Sequence, residues 1–170
     1  MKKTAFLLLI LFDAAFCVQA QNYKTDTIAQ EKALKLNFLV GEWKGSGWII
    51  GQDMIKRTFD QTETVQFKLD STALLIEGKG QSNEKIVQEA LAIITYKGES
   101  NQYDFQSFLP SGQKGLYKSE LTEGALYWYP TNFIRYTIRV NEQGQWYEIG
   151  EINKIGNWYP FFEMTLDKVP

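Results

Sequence analysis

Gln61 and Glu63 are the first side chains in this chain whose types and spacing could do chemistry. They alternate with nothing but polar neighbours (Thr58, Asp60, Thr62, Thr64, Gln66, Lys68) and share their own face with Phe59, Val65 and Phe67. A period of two with one apolar face marks a half-buried strand, and it predicts that both polar side chains point inward. A buried carboxylate has to be paired or protonated. Arg135, alternating with Phe133 and Thr137, is the expected partner, and Glu148 beside Trp146 and Glu163 in the last strand-like run are further carboxylates. Three arrangements fit these residues. In one, a guanidinium facing an apolar cavity grips the carboxylate or phosphate head of a fatty acid or similar amphiphile, because its planar fork matches such groups. In another, Glu63 and Glu148 form a carboxylate pair of the kind used by hydrolases and isomerases. In the third, Gln61 and Glu63 lie at a barrel mouth and are solvated.

Other chemistries are excluded by what is missing. The chain has no histidine, and its one cysteine is Cys17. Zinc sites of the usual nitrogen and sulfur type, Ser-His-Asp and Cys-His nucleophile systems, and histidine-ligated haem therefore lack their atoms. No metal site is expected.

The elements that must position these residues are almost all strands. A short helix is predicted over residues 27–36, capped by Asp26 or Thr27, with Ile28, Leu34 and Leu36 in partial periodicity. From Glu42 to Asp167, runs rich in Val, Ile, Thr, Tyr, Phe and Trp alternate with breakers such as Gly51-Gln52-Asp53, Ser82-Asn83-Glu84, Pro130-Thr131 and Asn141-Glu142-Gln143-Gly144. Ten such runs on short links imply antiparallel hairpins, and an open sheet of that size would leave two long edges. The expected fold is all-β: an up-and-down antiparallel barrel of about ten strands with one short N-terminal helix. A barrel of that width exceeds the size that side chains just fill. It therefore encloses a cavity unless its aromatics plug it, in which case the outer surface or loops would bind a protein or glycan. Trp128, Trp146, Trp158 and Phe162 are the expected wall of the cavity. In Trp43-Lys44-Gly45-Ser46-Gly47, alternation puts Trp43, Gly45 and Gly47 on one face. Trp43 is expected to close the barrel floor beside the helix, and the glycines to let the strand coil close to a neighbour.

Residues 1–20 are set apart. Lys2 and Lys3, an apolar run, and the ending Val18-Gln19-Ala20 read as a secretory signal peptide cleaved after Ala20. Lipidation of Cys17 is disfavoured by bulky Phe16 before it. The expected organisation is thus a signal peptide (1–20), an N-terminal segment with the helix (21–37) and one barrel domain (38–170), secreted or periplasmic and without a transmembrane span. Removing Lys2, Lys3 and Asp13 from 18 basic and 20 acidic residues leaves 16 and 19, interspersed rather than striped, which excludes nucleic acid as a partner.

The run Phe38-Leu39-Val40-Gly41-Glu42-Trp43-Lys44-Gly45-Ser46-Gly47 resembles the G-x-W-x-G-x-G opening of nitrobindin-like barrels and of the bacterial domains of unknown function allied to them. Ile76-Glu77-Gly78-Lys79-Gly80, Ala92-Ile93-Ile94-Thr95-Tyr96 and Trp158-Tyr159-Pro160-Phe161-Phe162-Glu163-Met164-Thr165-Leu166 are similar to later segments of those domains. The wider kin are lipocalins and fatty-acid-binding proteins. The resemblance implies a ten-strand barrel with an apolar interior and a non-catalytic role holding a small hydrophobic or amphipathic molecule. Nitrobindins hold haem through a histidine that this chain lacks, so haem would require a tyrosine, with Tyr147 or Tyr159 as candidates.

Overall fold

A computed structural model describes residues 24–99 and 101–170; the signal-peptide reading of residues 1–20, Cys17 included, lies outside them. Ten strands follow one helix: α1 (Thr27–Leu34), a 3-10 turn (Asn37–Leu39), then β1 (Gly41–Ile50), β2 (Lys56–Lys68), β3 (Ala73–Ser82), β4 (Lys85–Tyr96), β5 (Gln102–Phe108), β6 (Lys114–Thr122), β7 (Ala125–Thr131), β8 (Ile134–Val140), β9 (Trp146–Lys154) and β10 (Asn157–Lys168). Each strand pairs antiparallel with its sequence neighbours, and β1 also pairs with β10, so the sheet closes into a barrel. Closure removes both edges. No described helix is long and apolar enough to cross a membrane.

The helix is shorter than its sequence pattern suggests. Asp26 caps it, its Oδ1 accepting from the backbone N–H groups of Ile28 and Ala29 at 3.0 Å. After Leu34 the chain tightens through Leu36 into the 3-10 turn, which carries Leu36 and Leu39 fully beneath the barrel. There they meet Trp43, Trp146, Leu74, Ile94, Tyr103, Leu126 and Leu166, the inward residues at the helix end of seven strands. This layer is the floor. Polar contacts fix it: the Trp43 indole N–H donates to the Leu39 carbonyl at 2.8 Å, the Tyr103 hydroxyl to the Lys32 carbonyl at 2.9 Å, and the Ser119 hydroxyl to the Tyr103 carbonyl at 2.9 Å.

The glycines of β1 do what the alternation suggested. A Cβ on Gly45 would lie 2.2 Å from the Thr165 carbonyl oxygen and 2.8 Å from the Leu166 Cα, so the first and last strands cross at a distance that only a bare backbone permits. The strand prolines have an equally local explanation. Pro130 and Pro160 each lie where the ladder slips register, between Trp128 and Thr131 and between Pro160 and Phe162. A residue with no N–H to offer is tolerated there. β7 therefore runs through Pro130 to Thr131, further than its breakers indicate, and the turn to β8 is Asn132-Phe133.

Candidate functional site

Above the floor the barrel is not filled. A cavity of about 490 Å³ extends from Trp146 of the floor, past Glu63 and Glu148, to Leu109, Pro130 and Ile134 at the end opposite the helix. Its wall is mainly apolar: Ile49 from β1, Ile76 from β3, Ala90 and Ala92 from β4, Phe105 from β5, Tyr117 from β6, Tyr136 and Ile138 from β8, and Phe161, Phe162 and Met164 from β10. Trp128 is its central aromatic, lying between the rings of Phe105 and Tyr136 with centroid separations of 4.5 and 4.4 Å and nearly parallel planes.

The polar end is built from two glutamates. Glu63 is buried on β2, and its Oε1 accepts from the Gln61 side-chain amide at 2.7 Å. Its register partner on β3 is Gly78, where a Cβ would come within 2.6 Å of the Glu63 carboxyl oxygens. The absent side chain is the space this carboxyl occupies. Glu148, buried on β9, accepts from the Trp146 indole N–H at 3.3 Å. Loss of hydration pushes the Glu63 carboxyl up to about 7, against the Gln61 hydrogen bond. Loss of hydration, then the nearby Glu63, raises Glu148 to about 8. Both side chains are thus substantially protonated near neutral pH, each a donor as well as an acceptor. Two further polar atoms here are unused among the described residues: the Gln61 Oε1 and the Trp128 indole nitrogen. That indole lies close enough to Glu148 to hold its pKa down somewhat, yet it closes no hydrogen bond in this geometry.

Of the residues singled out from sequence, Glu63, Trp128, Trp146, Glu148 and Phe162 meet at this cavity. Gln61 lies behind Glu63 as its support, and Trp43 belongs to the floor. Arg135 and Trp158 are elsewhere. On β8 the inner face belongs to Ile134, Tyr136 and Ile138, because Phe133 is a turn residue and not the strand position that its alternation with Arg135 implied. Arg135 accordingly faces outward, donating through Nε to Glu151 at 2.8 Å, and its guanidinium lies over the Trp158 ring at 4.2 Å. Among the described residues Glu63 has no cationic partner. Glu163 is also on the outer wall, accepting from the Tyr147 hydroxyl at 3.1 Å and the Trp48 indole at 3.4 Å. Tyr147 is held there with it, and Tyr159 is half exposed. Tyr136 and Tyr117 are the tyrosines that line the cavity, Tyr103 being buried in the floor. The alternation Ile134-Tyr136-Ile138 was available in the sequence to find Tyr136. The pairing of Phe161 with Phe162 on one wall was not, since it arises from the register slip after Pro160.

Neither a family model nor a curated relative matches the chain. Solved structures do. Rv2717c from M. tuberculosis superposes with a TM-score of 0.63 at 12% identity, over 81% of this chain and 98% of that one. A protein of unknown function from the DUF3598 family of Nostoc punctiforme superposes with a TM-score of 0.54 at 19% identity, over 79% of this chain but 49% of that one, so the present chain spans about half its length. The S-type phycobiliprotein lyase CPES from Guillardia theta matches more loosely, with a TM-score of 0.43 at 9% identity over 87% of this chain and 99% of that one. The first two likenesses show a shared barrel fold.

Proposed function

We propose that this barrel is a non-catalytic carrier or sensor that takes a small apolar or amphipathic molecule into its cavity, with the molecule's polar end neutral or basic. One observation carries the reading: the residues lining the cavity include two carboxyls and no lysine or arginine. An anionic head would lie desolvated beside Glu63 and Glu148 with no counter-charge, at a cost of several kcal/mol. A hydroxyl, amide or amine would find donors and acceptors in place in the two carboxyls and the unused Trp128 N–H. The volume, apolar wall and few convergent polar groups match what small-molecule pockets generally have. The outward turn of Arg135 removes the ground for a fatty-acid head group, while the apolar body of such a ligand still suits the wall.

The same lining argues against haem. Neither a histidine nor a cation for the propionates is among these residues, the candidate tyrosines Tyr147 and Tyr159 face outward, and Tyr136, which does line the cavity, is held by burial above its ordinary pKa, away from the phenolate that iron would need. Kinship with nitrobindin-like barrels, export with removal of residues 1–20, and action outside the cytoplasm belong to this reading. They rest on the sequence motifs and on the fold.

The test is a titration of intrinsic tryptophan fluorescence with dodecylamine, dodecanol and dodecanoate at pH 7.5, since Trp128 and Trp146 line the cavity. Saturable quenching by the amine and the alcohol, with dodecanoate at least about tenfold weaker, is the expected order. Tightest binding by dodecanoate would overturn the head-group assignment, and no saturable change with any of the three would overturn the cavity reading itself.

A further inference from the structure

The end of the barrel at which the cavity reaches its loops is built unlike the floor end. Nine of the thirteen large apolar side chains exposed among the described residues lie there, spread over all five hairpins, with Met54, Ile86, Leu109, Phe133 and Ile155 standing for one hairpin each. Scattered exposed apolar residues are ordinary, but a ring of them around one opening marks a contact surface. Ile155 is the extreme case, fully exposed at the tip of the β9–β10 turn with φ at 53°. A β-branched residue in the left-handed region is strained, and Asn or Gly would suit the turn better. The residue is thus unfavourable there on both counts, in conformation and in exposure.

Charge at this end also differs from that of the whole chain. The chain's net charge is −2, yet the five mouth hairpins carry Lys56, Arg57, Lys85, Lys114 and Lys154 against Asp53 and Glu84. Asp53 is bound to Arg57, and the four lysines make no salt bridge among the described residues. Each lysine adjoins the apolar tips: Ile55-Lys56, Lys85-Ile86, Lys154-Ile155, and Lys114 two residues before the exposed Leu116. Just behind the rim, on the outer wall, Trp48 and Trp158 lie half buried, the Lys56 ammonium 3.8 Å from the centre of the Trp48 ring. Apolar tips flanked by lysines, with indoles one layer back, is the order of groups that an anionic bilayer presents in complement: acyl chains, charged head groups and the interfacial zone that tryptophan favours. Further down, the outer face of β2 presents Thr58, Asp60, Thr62 and Thr64, a polar wall unlike the apolar band by which a barrel spans a membrane.

The geometry points to the mouth of this barrel as a docking surface for an anionic lipid bilayer, the hairpin tips inserting shallowly and the lysines meeting the head groups. The cavity then opens against the membrane, and an apolar molecule passes between bilayer and barrel without crossing water. This stands on the rim and not on which ligand the cavity prefers.

Vesicle flotation of the full chain tests it, using vesicles of phosphatidylcholine alone and of phosphatidylcholine with phosphatidylglycerol, without added ligand. The matched variants are Ile155→Asn with Phe133→Ser at the mouth and Leu69→Asn at the floor end, where Leu69 is likewise exposed and left-handed. Wild type is expected to float with the anionic vesicles at least about tenfold more strongly than with the neutral ones. The mouth variant should lose most of that gain while melting no lower than wild type, since Asn relieves the turn, and Leu69→Asn should keep it. Amide exchange on the bound protein should slow at the five mouth hairpins and not at the floor turns. Equal binding to both vesicle types, or protection confined to the floor turns or residues before 24, would overturn the proposal. So would a rim that proves to be covered by a second copy, seen as a wild-type dimer that the mouth variant converts to a monomer without any effect on flotation.

Discussion

Glu63 and Glu148 line the cavity with pKa values of about 7 and about 8, against 4.5 for the free side chain, burial being the first cause of both shifts. In the unfolded chain both ionise near 4.5, and in the folded barrel they stay protonated until higher pH. Between those limits the native state binds more protons than the unfolded state, so stability falls as pH rises and the loss is complete above about 8. For Glu63 alone this is on the order of 3 kcal/mol at about 1.4 kcal/mol per unit. Chemical denaturation at pH 5.5 and 8.5 should show the barrel more stable at the lower pH, with the difference reduced by about half in Glu148→Gln; a flat profile in wild type would contradict the buried protonated pair. Trp128 supports a separate expectation. Its N–H has no partner among the described residues, so Trp128→Phe, which keeps a ring between Phe105 and Tyr136, should leave stability within about 1 kcal/mol. The same variant should weaken dodecanol binding severalfold in a displacement titration. Glu63 was legible in the sequence because every alternate on its strand is polar. Arg135 was misread because Phe133, an apolar neighbour two positions away, belongs to a turn where alternation has no meaning.

At the level of the strands, the close crossing of β1 and β10 is the feature most sensitive to one atom. Gly45→Ala sets a methyl against the backbone of Thr165 and Leu166, which cannot rotate away, and should cost about 3 kcal/mol or more by urea denaturation. Gly78→Ala meets only the end of the Glu63 side chain, which can move. It should cost less stability and instead displace the carboxyl, so that amine binding falls more than the melting temperature does. A result in which the two variants lose equal stability and Gly78→Ala still binds dodecylamine normally would show that Glu63 does not need that space. The ten strands were readable because alternation, aromatic and β-branched enrichment and turn residues agree at nearly every boundary. The exceptions have physical causes. The slips at Pro130 and Pro160 depend on which neighbour's ladder the proline interrupts, and the 3-10 turn after α1 depends on the floor it plugs; neither dependence is local in sequence.

The whole molecule is a closed barrel with unequal ends. One end is packed by Trp43, Trp146, Leu36, Leu39 and Tyr103 under a helix; the other opens through five hairpins around the cavity. The register of β1 with both β2 and β10 ties the sheet into a ring, so no strand can leave without breaking two ladders. Local opening must then start where side-chain contacts are fewest, at the mouth. Amide exchange should follow that asymmetry. The floor-proximal halves of β1, β3 and β9 should exchange only through global unfolding, and the hairpins at 51–55, 109–113 and 155–156 at least about a hundredfold faster. Saturating dodecanol should slow exchange in the upper halves of β4, β5 and β8, whose Ala90, Phe105 and Ile134 line the cavity, while the floor changes only with global stability. Uniform protection from floor to mouth in the free protein would mean that the upper barrel is as tightly packed as the lower, and the cavity would then have to be filled by its own side chains in solution.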